Sequence, residues 1–367
     1  MQLLFSILEF VVGLGIVIST IFSAVSTFVL PRSARSKLDR LVFGLVRRFF
    51  EFLMHFAGSY ERRDKIMAYY APLALMALVP TWYVLISIGY SFMYWALGEG
   101  DLLADFRLSG SSLLTLGFAS SDGLLVTVLV FSEAMLGLIM VALLIAYLPT
   151  MYSAFSRREQ LVNMLEVRAG NPPNPYDMLT RYHRIHGLDK LTDLWRAWEV
   201  WFADVEESHT TLPALVFFRS PRAENSWVTS AGAVLDSAAI TLSSIDIPLE
   251  MSGALCIRAG FICFHHVTDY FGISHPHQPS FPETPINITR AEYDDLIRKL
   301  EEAGLPIKPD REQAWVDYAG WRVNYDRTLL VLCSLVMAPP NVPWSSDRAP
   351  TFTLPPIFMK KKKHEHH

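Results

Sequence analysis

Three long apolar stretches constrain the fold of this chain more than any other feature of its sequence. They run from Leu3 to Leu30, from Ile66 to Leu97 and from Leu124 to Tyr152, and none carries more than one charged residue. A helix that crosses a bilayer needs about 20 apolar residues. The first stretch is too long for a signal peptide and has no basic start. We therefore predict three transmembrane helices in an all-α membrane fold.

The charges of the connecting segments predict how these helices are oriented, because Lys and Arg mark cytoplasmic loops. The segment between the first two stretches carries a series of basic residues: Arg32, Arg35, Lys37, Arg40, Arg47, Arg48, Arg62, Arg63 and Lys65. The loop between the second and third is acidic, with Glu99, Asp101, Asp105 and Asp122 against Arg107. Arg157 and Arg158 follow the third stretch. We expect a multi-pass protein of the cell (inner or plasma) membrane, with its N-terminus outside and a cytoplasmic C-terminal domain.

The basic segment contains a run typical of an amphipathic helix, from Leu41 to Ala57. Its phenylalanines alternate with charged side chains such as Arg47, Arg48 and Glu51. Such a helix lies at a membrane surface, in contact with lipid, or packs on a neighbouring subunit. The sequence favours neither reading over the other.

The acidic loop, from Asp101 to Gly123, is too polar to form another crossing. It begins with a predicted helix at 102–114 and continues as Thr115-Leu116-Gly117-Phe118-Ala119-Ser120. Non-helical backbone at membrane depth is tolerated where it is buried or lines water. Backbone carbonyls can replace the water shell of a cation when successive peptides point at one axis. That requires residues of alternating handedness, which glycine permits.

This order of elements resembles the pore of tetrameric potassium channels, whose signature is Thr-Val-Gly-Tyr-Gly. The resemblance covers residues 66–152, less than a quarter of the chain. It implies a re-entrant pore loop, a homotetramer, K⁺ as the permeant ion and no further cofactor. It also implies a selectivity filter with ion-binding backbone carbonyls, and we include five residues in it: Thr115, Leu116, Gly117, Phe118 and Ala119.

Three positions depart from the family signature. Leu116 replaces the valine of the signature, and Phe118 replaces the tyrosine. We expect the Phe118 ring to form a wedge between the filter and the pore helices. Ala119 stands where the family has glycine. A left-handed alanine costs about 1–2 kcal/mol, so Ala119 bears on the outermost ion site and on selectivity.

The third stretch resembles the inner helix that lines such pores. Gly137 lies about where the family has a hinge glycine, although a small residue also permits close helix packing. Glu133 is an ionisable group within the predicted bilayer, which makes it a functional candidate. We expect it to brace the pore helix through Ser111 and Ser112, with the conduction path as the alternative. Further along, the predicted apolar gate consists of Ile139, Met140, Leu143, Leu144 and Tyr147.

These features divide the chain into five segments. They are a transmembrane helix at 1–31, a basic cytoplasmic segment at 32–65, a pore domain at 66–152, a cytoplasmic α-helical domain at 153–350 and a Pro/Lys/His tail at 351–367. Helical periodicity in the fourth segment predicts helices at 176–207, 225–244, 249–271, 289–303 and 310–338. Cys256, Cys263 and Cys333 have no metal-ligand spacing and predict buried free thiols.

Several side chains of the soluble part are weaker candidates for binding. His265, Asp269, His275 and His277 are able to ligate a metal but lack a paired motif. Arg219 and Arg222 are candidates for an anion or another unknown cytoplasmic ligand. The run Lys360–Lys363 and the histidines after it are typical of a disordered tail, with contact to anionic lipid as the alternative. The net charge of −4 gives no reason to expect nucleic acid.

The sequence leaves three functional hypotheses. The first is a gated cation channel, which the resemblance implies to be selective for potassium. The second is a weakly selective cation channel. The third is a membrane-anchored enzyme or scaffold, although no nucleophile–base pair points to catalysis. We therefore expect the protein not to be an enzyme and to interact with monovalent cations and membrane lipid.

Overall fold

The computed structural model describes residues 2–28, 37–98, 101–120, 122–248 and 251–350. Within these ranges the chain is mainly α-helical and contains no β-strand, as predicted. Its α-helices are α1 Gln2–Phe28, α2 Lys37–His55, α3 Tyr60–Ala68, α4 Tyr70–Ala96, α5 Leu102–Leu113, α6 Leu124–Ala169, α7 Pro175–Arg184, α8 Leu191–Thr211, α9 Trp227–Ser244, α10 Met251–Tyr270, α11 Arg290–Glu302, α12 Arg311–Arg322 and α13 Asp326–Val336.

Three helical segments are long and apolar enough to cross a membrane, in agreement with the three predicted spans. They are Leu3–Phe28, Tyr60–Ala96 and Leu124–Ala169. The predicted end of the first span at Leu30, and the basic residues Arg32 and Arg35, lie outside the described residues, as do Glu99 and the whole tail at 351–367. The chain is therefore membrane-associated by its apolar helices, and the orientation of those helices stays a prediction.

The described residues divide into two compact units that do not follow the chain order. The first unit contains residues up to Leu53 and Tyr69–Ser153, and the second contains Met54–Ala68 and the chain from Ala154 onward. The short helix α3 thus belongs to the second unit. The expected second span, 66–97, differs from the structure at its start, because α3 ends at Ala68 and α4 begins at Tyr70.

Within the first unit, α1 and α4 cross at two glycines. A Cβ atom added to Gly13 would lie 2.4 Å from the Gly89 carbonyl oxygen, and one added to Gly89 would lie 2.7 Å from Val17 Cγ2. Small residues allow the backbones of membrane helices to approach closely. Trp82 Nε1 on α4 also donates a hydrogen bond of 3.1 Å to Ser23 Oγ on α1. The two helices are therefore fixed by contact and by a buried hydrogen bond.

The predicted amphipathic helix forms α2, which begins four residues earlier than expected and ends at His55. Phe49 and Phe52 are exposed on one face, whereas Phe50 is buried against Tyr70. Buried Arg47 forms an ion pair of 3.0 Å with Glu51. The exposed aromatic face fits either lipid or a second subunit, so both readings stay open.

The second unit encloses a hydrophobic core built from α7 to α13. The aromatic residues of α8, namely Trp195, Trp198, Trp201 and Phe202, are buried in this core. The three cysteines are buried and free, as predicted. Helix α11 begins with a capping box, as the Thr-x-x-Glu spacing at 289–292 predicts, since Thr289 and Glu292 bond each other's backbone N–H groups.

Two predicted helices of the second unit are wrong because each is interrupted. The helix expected at 176–207 breaks after α7, where His186 has a left-handed φ of 54° and Gly187 N–H bonds the Tyr182 carbonyl. The helix expected at 310–338 breaks between Arg322 and Asp326. Arg322 is fully buried and donates to Asp326 at 2.8 Å and to Asp236 at 2.6 Å. A buried charge needs such partners, and the break places all three groups together.

Candidate functional site

The candidate site begins with α5, a 12-residue helix between α4 and α6. Asp101 caps its start, because the carboxylate accepts a 2.8 Å hydrogen bond from the Ala104 N–H. A carboxylate at this position also interacts favourably with the helix dipole. The helix ends at Leu113, one residue before the predicted end, and its C-terminal carbonyls are bonded by the backbone that follows.

The backbone after α5 folds back on the helix end. Thr115 N–H bonds the Ser112 carbonyl at 3.0 Å, and Leu116 N–H bonds the Ser111 carbonyl at 2.8 Å. These two bonds form a Schellman motif, which requires a left-handed residue after the helix. That residue is Thr115, with a φ of 57°. A β-branched residue in this conformation is a genuine outlier, and such strain concentrates at functional sites.

Gly117 is the second left-handed residue of the segment, with a φ of 70°. Left-handed conformations therefore occur at Thr115 and Gly117, two positions apart. Ala119, which the family pattern would place in a left-handed conformation, does not have a positive φ. The expected strain at Ala119 is thus wrong, because Thr115 carries the strain instead.

Ser111 holds this segment through two different groups. Its carbonyl accepts from the N–H of Leu116, and its hydroxyl accepts a 3.0 Å bond from the N–H of Ala119. The side chains of Leu116 and Phe118 are 61% and 66% exposed within one chain. Phe118 therefore makes no wedge within one chain, and the predicted wedge would require a second chain.

Glu133 lies on α6 and is fully buried between α4 and α5. Its carboxylate accepts a 2.8 Å hydrogen bond from Tyr94 Oη on α4 and a short one from Ser109 Oγ on α5. The Ser109 hydroxyl also lies 2.8 Å from that of Ser87. Glu133 thus contacts the short helix, as expected for a brace, but through Ser109 rather than Ser111 or Ser112.

Gly137 lies one turn further along α6, directly against the end of α5. A Cβ atom at Gly137 would lie 2.0 Å from the Leu113 carbonyl oxygen. Tyr83 Oη on α4 donates a 2.7 Å hydrogen bond to the Gly137 carbonyl. The close packing of three helices therefore explains why position 137 is a glycine. The hinge role of Gly137 stays a prediction.

The residues of the predicted apolar gate do not share one exposed face. Met140 and Tyr147 are buried within the first unit, and the Tyr147 ring packs 4.6 Å from that of Phe28. Ile139 is exposed. A gate on the exposed face of α6 would therefore involve Ile139 and not Met140 or Tyr147.

The structure brings together three of the four predicted metal candidates of the second unit. The ligand atoms of His265, His275 and His277 lie within 4.8 Å of one another. Asp269 accepts a 3.0 Å hydrogen bond from His275 Nε2. Burial and the neighbouring His275 lower the pKa of His265 to about 4, so its ring is neutral at physiological pH.

The two arginines suggested for anion binding are already paired. The side chain of Arg219 is 10% exposed, forms a short ion pair with Asp64 on α3 and donates a 2.8 Å bond to Tyr60 Oη. Arg222 bonds Glu166 at 2.5 Å at the surface. Arg219 therefore fixes α3 to the rest of the second unit. The contacts of the two arginines do not favour an anion site.

No family model, curated protein or solved structure matches this chain. Function is therefore inferred from the local geometry of the site. Sequence reasoning missed Ser87, Tyr94 and Ser109, which surround Glu133. Their polar side chains, which stand in or beside apolar helices, are the signal that would have identified them.

Proposed function

We propose that this chain is one subunit of a homotetrameric, gated cation channel that conducts potassium through a filter of backbone carbonyls. The observation that carries this proposal is the non-helical segment from Thr115 to Ala119, which follows a short helix between two membrane-length helices. Its left-handed residues Thr115 and Gly117 supply the alternating handedness that directs successive carbonyls to one side. Such carbonyls are the ligands that replace the hydration shell of K⁺.

The need for several subunits follows from the single loop in each chain. A filter requires carbonyls around an axis, and closed cyclic symmetry supplies them. The exposure of Leu116 and Phe118 supports a neighbouring subunit that covers them. Extended exposed apolar surface is typical of interfaces. Fourfold symmetry is the arrangement that the potassium-channel resemblance implies.

The hydrogen bonds of Glu133 support a rigid pore loop. Because they join α4, α5 and α6, these hydrogen bonds fix the position of α5, the helix that precedes the filter. The negative end of α5 also faces the start of the segment, where it would favour a cation. The first feature holds α5 in place, and the second supports a cation site near Thr115.

A weakly selective cation channel is the second candidate, and Ala119 is the observation that favours it. The potassium-channel signature has glycine at this position, whereas Ala119 has no left-handed φ and donates its N–H to Ser111. The outermost carbonyl ring would then differ in direction from that of the family. Fewer coordinating rings reduce the discrimination between K⁺ and Na⁺.

Ion flux through liposomes tests both candidates. Purified protein is reconstituted, and the flux is measured under a potassium gradient and, separately, under a sodium gradient. A potassium flux well above the sodium flux supports the selective channel, and equal rates support the weakly selective one. No flux of either ion above that of empty liposomes would contradict both.

Two glycine variants link the flux to the segment. Gly117→Ala places a side chain at a left-handed position, which is strained whatever the space around it. Gly110→Ala, in α5, introduces a Cβ atom with no neighbour within 4 Å and serves as the matched control. We expect Gly117→Ala to reduce the flux strongly and Gly110→Ala to preserve it. Equal flux through both variants would remove the segment from the pathway.

Images of purified particles test the assembly and the competing class. Fourfold symmetry with an axial opening supports the channel. A monomer or a twofold dimer would contradict it and would favour the membrane-anchored enzyme or scaffold.

A further inference from the structure

Three histidines of the second unit come from two elements that the fold brings together. His265 lies in the last turns of α10, and His275 and His277 lie in the loop that follows this helix. The ring centroids of His265 and His275 are 4.3 Å apart, and those of His275 and His277 are 5.1 Å apart. His265 and His275 are buried, whereas His277 is exposed. The cluster therefore has two buried members and one at the surface.

The second nitrogen of each buried ring already has an acceptor. His265 Nε2 lies 3.3 Å from the Asn324 carbonyl oxygen, and His275 Nε2 lies 3.0 Å from Asp269 Oδ1. Each acceptor favours the tautomer that carries its proton on Nε2. His275 Nδ1 also lies 3.3 Å from the Pro276 carbonyl oxygen, and a metal ion bound to Nδ1 would replace this longer contact. Histidines that bind metals almost always donate their other N–H to a carboxylate or a backbone carbonyl. Both buried rings show this pattern.

We propose that His265, His275 and His277 bind a divalent transition metal, Zn²⁺, in the second unit of this protein. His265 and His275 bind through Nδ1, and His277 completes the set from the solvent side. Asp269 orients His275 and is not itself a ligand. Three protein ligands leave a fourth tetrahedral position for water.

The distances are compatible with this assignment after a small adjustment. A Zn–N bond of about 2.0–2.1 Å places the nitrogens of a tetrahedral site about 3.4 Å apart. One nitrogen of each ring lies within 4.8 Å of a nitrogen of the other two, so such atoms need to approach by no more than about 1.4 Å. Changes in the side-chain torsions of the three histidines would supply this movement. Imidazole nitrogens suit zinc, copper and nickel, and do not suit calcium or magnesium.

A metal at this position would fasten the proline-rich loop to α10. The loop runs from residue 271 to residue 289 and has little regular structure of its own. Its two histidines would be joined to His265 through the ion. The metal would therefore stabilise the second unit, and its loss would release the loop.

Equilibrium binding of Zn²⁺ to the full chain tests the proposal. The tail contains His364, His366 and His367, which would bind metal independently, so all proteins in the test carry these three histidines replaced by alanine. The metal is removed by chelation, and Zn²⁺ is then titrated while the heat of binding and the melting temperature are recorded. We expect one Zn²⁺ per chain and an increase in the melting temperature on binding.

Single variants identify the ligands. We expect His275→Ala and His277→Ala to weaken zinc binding at least about 100-fold, and Asp269→Asn to weaken it about 10–100-fold. His266→Ala is the matched control, because His266 neighbours the cluster but pairs with Glu206 at 2.8 Å. Its affinity should stay within about twofold of the parent.

Two results would overturn the proposal. One is the absence of saturable Zn²⁺ binding in the protein with the altered tail. The other is binding that His277→Ala, which changes an exposed side chain and should not unfold the chain, leaves unchanged. Substitution by Co²⁺ gives an independent readout, since a tetrahedral site produces visible absorption that His277→Ala should abolish. None of these results depends on ion conduction.

Discussion

Tyr94 Oη on α4 donates a 2.8 Å hydrogen bond to the buried carboxylate of Glu133 on α6. The same carboxylate accepts from Ser109 on α5, so one side chain joins three helices. Removing one partner of a buried polar group costs about 1–3 kcal/mol. The hydrogen bond between Tyr94 and Glu133 therefore allows the most direct test of the rigidity of the candidate pore loop.

Tyr94→Phe removes one donor from Glu133 and preserves the ring. We expect this variant to lower the free energy of unfolding by about 1–3 kcal/mol and to reduce the ratio of potassium to sodium flux. Unfolding in detergent and flux in liposomes measure the two effects. Tyr69→Phe is the control, since Tyr69 is exposed. Identical selectivity in both variants would show that Glu133 does not position the loop.

Gly137→Ala inserts a methyl group 2.0 Å from the Leu113 carbonyl oxygen, which displaces the end of α5. Overpacking of this kind costs about 1–3 kcal/mol. We expect a lower melting temperature in detergent, together with reduced flux. Gly15→Ala in α1, where a Cβ atom meets nothing within 4 Å, should leave both unchanged. A fully stable Gly137→Ala protein with altered gating would instead favour the hinge reading.

Thr115 combines a strained backbone with a hydroxyl at the start of the candidate filter. Thr115→Gly relieves a strain of about 1–2 kcal/mol, so we expect it to raise stability while it reduces potassium flux. Thr115→Ser retains the hydroxyl and should retain most of the flux. Thermal unfolding and liposome flux separate the two properties. Full flux through Thr115→Gly would exclude the hydroxyl as an ion ligand.

His209 predicts a pH dependence for the second unit. It is fully buried, and Arg158 Nη1 lies 3.1 Å from its Nε2. Because arginine can only donate, Nε2 accepts, and Nδ1–H is the donor to Ser208 Oγ at 3.1 Å. Burial first, and then the charge of Arg158, lower the pKa of His209 well below its usual value of 6.5. Protonation would break the Arg158 bond and bury a second positive charge.

The sign of this effect follows from the lowered pKa. Below pH 6.5 the unfolded chain binds a proton that the folded chain excludes, so stability falls as the pH falls, by up to about 1.4 kcal/mol per pH unit. His209→Gln keeps an acceptor and a donor and should flatten this slope. His265, whose pKa is also lowered, titrates in both proteins and cancels in the comparison. Parallel stability curves from pH 7 to pH 5 would contradict the prediction.

The sequence was sufficient for features that depend on local chemistry. About 20 consecutive apolar residues predict a membrane helix, and all three predicted spans correspond to helices of that kind. The capping box at Thr289 and Glu292 was also predictable, because its partners are three residues apart. Local spacing carries both predictions without reference to the rest of the chain.

Features that depend on the packing of distant residues were not predictable. Which serine of α5 reaches Glu133 depends on the rotation of that helix, and Ser109 lies there rather than Ser111 or Ser112. No proline marks the position at which the predicted helix breaks, because the turn is formed by His186 in a left-handed conformation. The pairing of Arg219 with Asp64 spans 155 positions and has no signature in the sequence.

That last pairing has a consequence for any attempt to divide the protein. The chain leaves the first unit after Leu53, returns at Tyr69 and leaves it again after Ser153. Cutting the chain once, at residue 153, would therefore leave α3 on the fragment that contains the first unit and would separate Arg219 from Asp64. The helices of the two units are interleaved along the chain, so each unit is complete only when the whole chain is expressed.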